Sequence, residues 1–401
     1  MNARVPAIPG FPDFSDMPAD PLAPLLQALR ANAPERDRLG GHAAEEKALI
    51  QAQGLLLNAV PTAYGGRGQS WAELLGTVRR IAAVDSSLAH VLAFHHLQVA
   101  TVLIYGSDEQ QSRWLTATVR EQGWWGNAMN PLDRRLEAHA AADGFVLEGT
   151  KSFCSGTSGS RYMTLSAVPA GGGAMLLGIV ATQQPGIQVL DDWDPIGQRQ
   201  TDSNSVAFSQ VALPARDVIR ASDATPTAFH TLRACIGQLV LTNLYLGIAI
   251  GARQEAHDHA HGATARPWVT SGVAHATDDP YTLNRFGELH VQIAAGTALA
   301  DRAAQALDAA FVQGHALDAR ERAEVSIAVA EAKVVTHRAG LYASQELFEV
   351  VGARGTRAAL GFDRFWRNVR THTLHDPLDY KLNLLGRWSL KGEAPTPSLY
   401  N

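Results

Sequence analysis

Apolar positions recur at helical spacing near both ends of the chain and in short, Gly-punctuated runs through its middle. In residues 21–38, Leu22, Leu25, Leu26 and Leu29 mark one helical face. Residues 45–53 continue the pattern and stop at Gly54, a residue suited to a helix C-terminus. A turn-rich run, 60–68, follows. Ser70 then caps a helix through Ala83, with Glu73 at the capping-box position. Ser86 or Ser87 caps the next, residues 88–105, and Ser107 caps a fourth with Gln110 as its box partner.

Near Trp124 the pattern changes. Short apolar runs separated by Gly, Pro and Asp extend to about Val218. Residues 144–153 read as two strands around a tight turn, and 162–168, 174–181 and 205–211 as further strands of a small antiparallel β domain. From Thr225 helical periodicity returns in 226–262, 280–314 and 319–351. Each segment has about 30 residues, or about 45 Å of helix. With a shorter fourth helix they make a bundle.

The chain's 401 residues suggest two or three domains. With 46% hydrophobic and 18% charged residues, wholesale disorder is excluded. A net charge of -5 without a Lys/Arg stripe argues against nucleic-acid binding. Residues 1–20, rich in Pro and acidic side chains, read as a flexible arm and not as a secretory signal. Residues 234–252 carry no charge for nineteen positions, but Gln238, Thr242 and Asn243 favour a buried helix over a membrane span. Two cysteines, Cys154 and Cys235, make no disulfide framework and point to the cytoplasm.

No G-x-G-x-x-G follows a strand, so a nicotinamide site of its own is not expected. There is no Walker A run, no H-E-x-x-H and no G-x-S-x-G elbow. His257, His259 and His261 read as a solvated helix end, because only His257 and His261 share a face and nothing acidic completes a metal site.

Four runs in order resemble motifs of the acyl-CoA dehydrogenase family: 60–68 (VPTAYGGRG), 105–115 (YGSDEQQSRWL), 143–151 (DGFVLEGTK) and 196–203 (IGQRQTDS). The resemblance covers about residues 20–395. It implies an α+β, mainly α fold with an N-terminal helical domain (21–122), a central antiparallel β-barrel (123–224) and a C-terminal four-helix bundle (225–401), assembled as a homotetramer. The dehydrogenases' glutamate segment is missing. Instead, 362–377 (FDRFWRNVRTHTLHDP) resembles the tail of the dibenzothiophene monooxygenases, as do 153–156 (FCSG), 191–193 (DDW), 199–203 (RQTDS) and 265–268 (ARPW). Residues 124–133 (WWGNAMNPLD) are more similar to the methanesulfinate monooxygenases. Both groups are two-component enzymes. They take FMN as FMNH2 from a separate flavin reductase and use a flavin C4a-(hydro)peroxide. The implied reaction puts one oxygen atom of O2 on a small sulfinate or sulfone. Alternatives on this fold are a thiophene, indole or amine substrate, or acyl-CoA dehydrogenation; a non-catalytic flavin-binding protein is a further class.

Such chemistry needs a closed, mostly apolar pocket and a group that manages a proton near neutral pH. Phe94, Trp124, Trp125, Met129, Leu132 and Trp193 are candidate walls. The resemblance makes His375 the first candidate for the proton; the alternative is a helix cap or an ion pair with Asp376. His372 is three residues earlier and could share its helical face. His90 and Phe94, four apart, share a helix face, though His90 also reads as a satisfied buried histidine. The desulfurising relatives carry Tyr at the place of Phe94, so the hydroxyl is lost here. His375, Ser155, His90 and His372 are thus the catalytic candidates. The flavin ring is expected against Phe94, against Asn127, Ala128, Met129, Asn130, Pro131 and Leu132, and against Lys151, Ser152, Phe153, Cys154 and Ser155, with His375 over it. For Asn127 and Ser155 the alternative is ordinary turn chemistry. Arg266, Ala353 and Arg354 are candidates for the phosphate, partly from a neighbouring subunit. Phe94, Trp193 and Asn243 are assigned to the substrate pocket, against simple packing for Asn243. Nothing marks Cys154 as a nucleophile.

Overall fold

Side-chain caps set the helix starts. The structure, a computed structural model, describes residues 20–220 and 226–401; residues 1–19 of the expected arm, and the expected sheet–bundle boundary at 224/225, lie outside the described residues. In α4 (Trp71–Ala82) Ser70 and Glu73 form the expected capping box, and the Asp308 carboxylate also accepts from Trp71 N at 2.6 Å. Ser107 and Gln110 cap α6 (Asp108–Glu121) in the same way. The cap of α5 (Ser86–Tyr105) is Asp85, which accepts from Leu88 N, and not Ser86 or Ser87. The single helix expected over 21–38 is two, α1 (Ala23–Ala31) and α2 (Ala33–Leu39). Pro34 in the first turn of α2 cannot continue a helix from before it. α3 (Ala44–Ala52) ends before Gly54, whose φ of +67° is left-handed.

The middle of the chain folds into eight strands: β1 (Trp125–Ala128), β2 (Leu136–Ala141), β3 (Gly144–Lys151), β4 (Tyr162–Pro169), β5 (Leu176–Ala181), β6 (Ile187–Val189), β7 (Val206–Leu213) and β8 (Val218–Arg220). The order is β6-β7-β3-β2-β4-β5-β8, with β1 also on β4. This is a curled sheet whose two end strands do not pair, and it is mixed. β4 runs parallel to β1 and β2 and antiparallel to β5, so a wholly antiparallel barrel is corrected. Residues 144–151 are one strand and not two around a turn. The chain passes through Gly149 with φ +123° and a register shift against β7. A Cβ there would lie 2.0 Å from the Arg135 carbonyl oxygen, which is the close approach glycine permits. Leu136, Leu147, Met163, Leu165, Phe208 and Leu213 fill the sheet's core.

The bundle comprises α7 (Ala228–Ala260), α8 (Pro280–Gln313) and α9 (Ala319–Val351) with two shorter helices, α10 (Asp363–Thr373) and α11 (Leu378–Lys391), where one was expected. α5 and α7 are long and apolar enough to cross a bilayer, but 89% and 83% of those windows are buried inside the protein, as core helices are. One continuous core joins them to α4, α8 and α9. Gly247 and Gly251 let α7 lie directly on α4; Cβ atoms there would sit 2.5 Å from Ala82 Cβ and 2.1 Å from the Ala83 oxygen.

Candidate active site

α5 and α10 lie side by side in matched register. His90 stacks on His372, with ring centroids 4.8 Å apart, and on Phe94 at 4.0 Å. One turn earlier on each helix, Gln198 bridges them: its Nε2 donates to Ser86 Oγ (3.0 Å) and its backbone N–H to Asn368 Oδ1 (2.6 Å). The sheet's 193–204 loop is thereby fastened under the histidine pair, where Trp193 Nε1 donates to the Gln198 oxygen. Tyr245 of α7 donates to the His372 carbonyl at 3.0 Å. Both ring nitrogens of His90 and Nδ1 of His372 are buried without a partner among the described residues. Burial, then the nearby His375, pushes His90 down to about 3, so it is neutral at physiological pH.

His375 lies past the end of α10, so it does not share a helical face with His372. Its backbone N–H caps the His372 carbonyl, and its ring turns the other way. His375 Nδ1 is 3.0 Å from Asp376 Oδ1. The same oxygen accepts from Lys333 Nζ (2.5 Å) and Gln238 Nε2 (3.3 Å). Burial alone would raise the Asp376 carboxyl. The His375 hydrogen bond and the Lys333 charge outweigh it and hold the group ionised, well below the usual carboxylate range. An ionised carboxylate only accepts, so His375 Nδ1 carries the hydrogen and Nε2 faces the half-exposed side. Lys333 and Gln238 are functional neighbours that motif matching missed. The available signal was a lysine on the apolar face of α9, in step with Val329 and Thr336.

The two runs expected beside a flavin ring form one unit. Asn127 N–H donates to the Ser155 oxygen at 3.1 Å. Lys151 Nζ donates to the carbonyls of Asn130 (2.6 Å) and Asp133 (2.5 Å), and Ser152 donates to the Asp133 carboxylate. Lys151 therefore ties down the 130–133 loop and is not free to meet a ligand; burial brings it to about 8. Ser155 Oγ lies 2.7 Å from Ser203 Oγ. Asn127 Oδ1 accepts from Met129 N–H, while its amide NH2 has no partner among the described residues. Phe153, at φ +59°, turns its ring outward against Trp193, and Leu132 is exposed beside them.

Several assignments move. Ala128 and Cys154 point into the sheet's core, and burial pushes the Cys154 thiol up to about 12; its N–H is already used by the Asn204 oxygen. Trp124 and Trp125 are packed between domains, Trp125 against Trp114 and Tyr162, and do not wall a groove. Asn243 is wholly buried on the α4 side of α7, accepting from Arg79 and donating to the Leu239 oxygen, so it does not face a pocket. Arg266 and Arg354 do come together on the loop after α7, where Arg354 donates to the Thr264 oxygen and Arg266 to those of Ala263 and Ala265; Ala353 is exposed beside them. That loop begins fifteen residues beyond Tyr245, about 22 Å along α7. It is too far for the five-carbon ribityl arm of a flavin whose ring touches His372 of the same chain.

Family models for the acyl-CoA dehydrogenase N-terminal and C-terminal domains match residues 25–122 and 239–380. The chain belongs to the acyl-CoA dehydrogenase family. It is 44% identical over 370 residues to a probable FMNH2-dependent monooxygenase, SfnC, of Pseudomonas putida, covering 92% of this chain and 93% of that one. The structure of methanesulfinate monooxygenase MsuC from Pseudomonas fluorescens superposes with a TM-score of 0.92 at 42% identity, covering 95% and 98% of the two chains. The FMN-bound structure of TdsC, a dibenzothiophene monooxygenase from Paenibacillus sp. A11-2, gives a TM-score of 0.90 at 36% identity over 95% and 99%.

Proposed function

We propose that the protein is an FMNH2-dependent monooxygenase that transfers one oxygen atom from O2 to a small organosulfur compound, a sulfinate or a sulfone. The carrying observation is the Lys333–Asp376–His375 relay, set beside the Asn127–Ser155 unit and the neutral His90–His372 stack. The donor set suits FMN. Phe153, Trp193 and Leu132 offer apolar surface to a planar ring, and the Asn127 amide and Ser155 hydroxyl offer polar contacts to its edge. Arg266 and Arg354 suit a phosphate from a neighbouring copy, because one chain's ring contacts lie too far from them. When bound, reduced FMN supplies the electrons that divide O2 between product and water. His375 holds or delivers a proton at Nε2, since Asp376 occupies Nδ1. Neutral His90 and His372 floor the groove without adding charge.

Dehydrogenation of a thioester needs a free carboxylate base. Asp376, the carboxylate beside His375, is buried and holds three donors on one oxygen, so it cannot serve. A homotetramer is supported by exposed apolar side chains on α8 (Tyr281, Val291, Val312) and α11 (Tyr380, Leu390). A separate reductase supplies the flavin, and two buried free thiols suit the cytoplasm. The test is anaerobic loading with FMNH2, then oxygen, over a panel of sulfinates, sulfones and thiophenes. Turnover of a sulfinate or sulfone is expected; turnover of thiophenes alone would overturn the substrate class.

A further inference from the structure

Arg233 of α7 is a guanidinium without a counter-ion. Its Nε donates to Thr101 Oγ1 at 2.7 Å, and no other hydrogen bond or ion pair holds it among the described residues. Burial lowers its pKa and only the Tyr105 phenol opposes this, so no carboxylate is near enough to act on it. The other deeply placed arginines are saturated. Arg36 meets Asp85, Glu46 and Gln200, and Arg322 meets Thr231, Ser326 and the Asn401 oxygen. A cation left inside a protein with four unused N–H donors is costly unless something fills them.

Its surroundings are those of a groove wall. α5 and α7 run antiparallel, as Tyr105 to His230, Thr101 to Arg233 and Leu97 to Gly237 show. Most of α7 between Phe229 and Ala249 is buried, but Arg233, Ala234 and Gly237 stay part-exposed on one side. A Cβ on Gly237 would meet only Leu97 Cδ2, at 3.9 Å, so open space lies there. Phe94 is the part-exposed residue of α5 between Ser86 and Val102. Gln238, next to Gly237, holds the Asp376 that holds His375. The guanidinium thus stands about 6 Å along α7 from Gly237, on the same groove as Phe94 and the His375 relay. Arg220, stacked over Tyr105, adds positive charge at that end.

We propose that Arg233 is the substrate-recognition residue, and that it selects a small anion, an alkyl sulfinate, over neutral sulfones and thiophenes. This rests on the monooxygenase reading and deepens it. A sulfinate presents two oxygens sharing one charge, the geometry that a guanidinium fork grips with two parallel N–H bonds. Held so, its sulfur and short alkyl group lie over Ala234 and Gly237, toward Phe94.

Calorimetric titration of the flavin-free protein with methanesulfinate, beside dimethyl sulfone as the neutral analogue, tests this without turnover. Wild type should prefer the sulfinate. R233Q should weaken sulfinate binding about 10- to 100-fold and leave sulfone binding unmoved, and R233K should fall between. Equal sulfinate affinity in R233Q and wild type would overturn the proposal. If R233Q does not fold, as circular dichroism would show, the wild-type comparison decides: equal affinity for sulfone and sulfinate also overturns it. Oxygen uptake with FMNH2 is read separately. Arg233-dependent sulfinate binding without any oxygenation supports this assignment and sinks the monooxygenase reading. Oxygenation of a sulfinate by a chain whose binding ignores Arg233 does the reverse.

Discussion

His90 sits in α5 between Phe94 and His372 with both ring nitrogens unbonded, whereas His375 sits past the end of α10 with one nitrogen on a carboxylate and its other edge toward the groove. Both are histidines at the same place in the fold. The difference lies in what surrounds them. A low-dielectric helix interface removes the charged form of His90. A buried Lys–Asp pair fixes the tautomer of His375 and leaves one nitrogen open. Proximity to a site therefore does not assign a role; the partners of each ring nitrogen do.

The sharpest way to break this contrast is to remove each ring. H375A should cut product formation by about 10²- to 10⁴-fold, read as oxygenated product against hydrogen peroxide released. H90Q should change the same ratio by far less, and equal losses would erase the distinction. Next in size is the relay itself. D376N leaves Lys333 buried opposite a neutral amide and should cost about 3–5 kcal/mol in urea unfolding. D376N with K333M should recover much of that, and additive losses would show that the pair is not coupled.

Acidification probes the buried histidines. His90 at about 3 and His95 at about 4 stay neutral in the folded chain, while the unfolded chain takes up protons near 6.5. Their stabilising contribution is complete above pH 6.5 and is lost as pH falls from there toward 3–4. The slope is about 1.4 kcal/mol per pH unit for each ring. H90F should remove one proton's worth of that slope in thermal melts between pH 6.5 and 4.5; an unchanged slope would mean that His90 is charged in the native state. The smallest effect is expected from Y245F, which deletes the bond to the His372 carbonyl. It should cost about 1 kcal/mol and leave substrate preference alone.

Much of this was legible in the chain where signals are local. Ser70 with Glu73 and Ser107 with Gln110 announce helix starts because the cap and its partner are three residues apart. His90 and Phe94 announce a shared face by their spacing of four. Local reasoning failed where a tertiary contact decided the outcome. Gly149 looks like a turn and is a strand position pressed on the Arg135 carbonyl. Parallel pairing of β1 with β4 has no short-range marker. Asn243 looks like a pocket residue until Arg79 of another helix claims its oxygen. Lys333 and Asp376 are 43 residues apart, and neither alone says that it is buried.

The matched register of α5 and α10 also has a consequence in time. His90 and His372 are separated by 282 positions along the chain, a gap that takes on the order of 15 to 55 s to translate at ~5–20 residues per second. Throughout that interval the nascent polypeptide has one half of the stack and nothing to lay against it. The groove is therefore assembled last, and a ribosome that stalls before α10 releases a chain that has its flavin-facing loops but no floor for them.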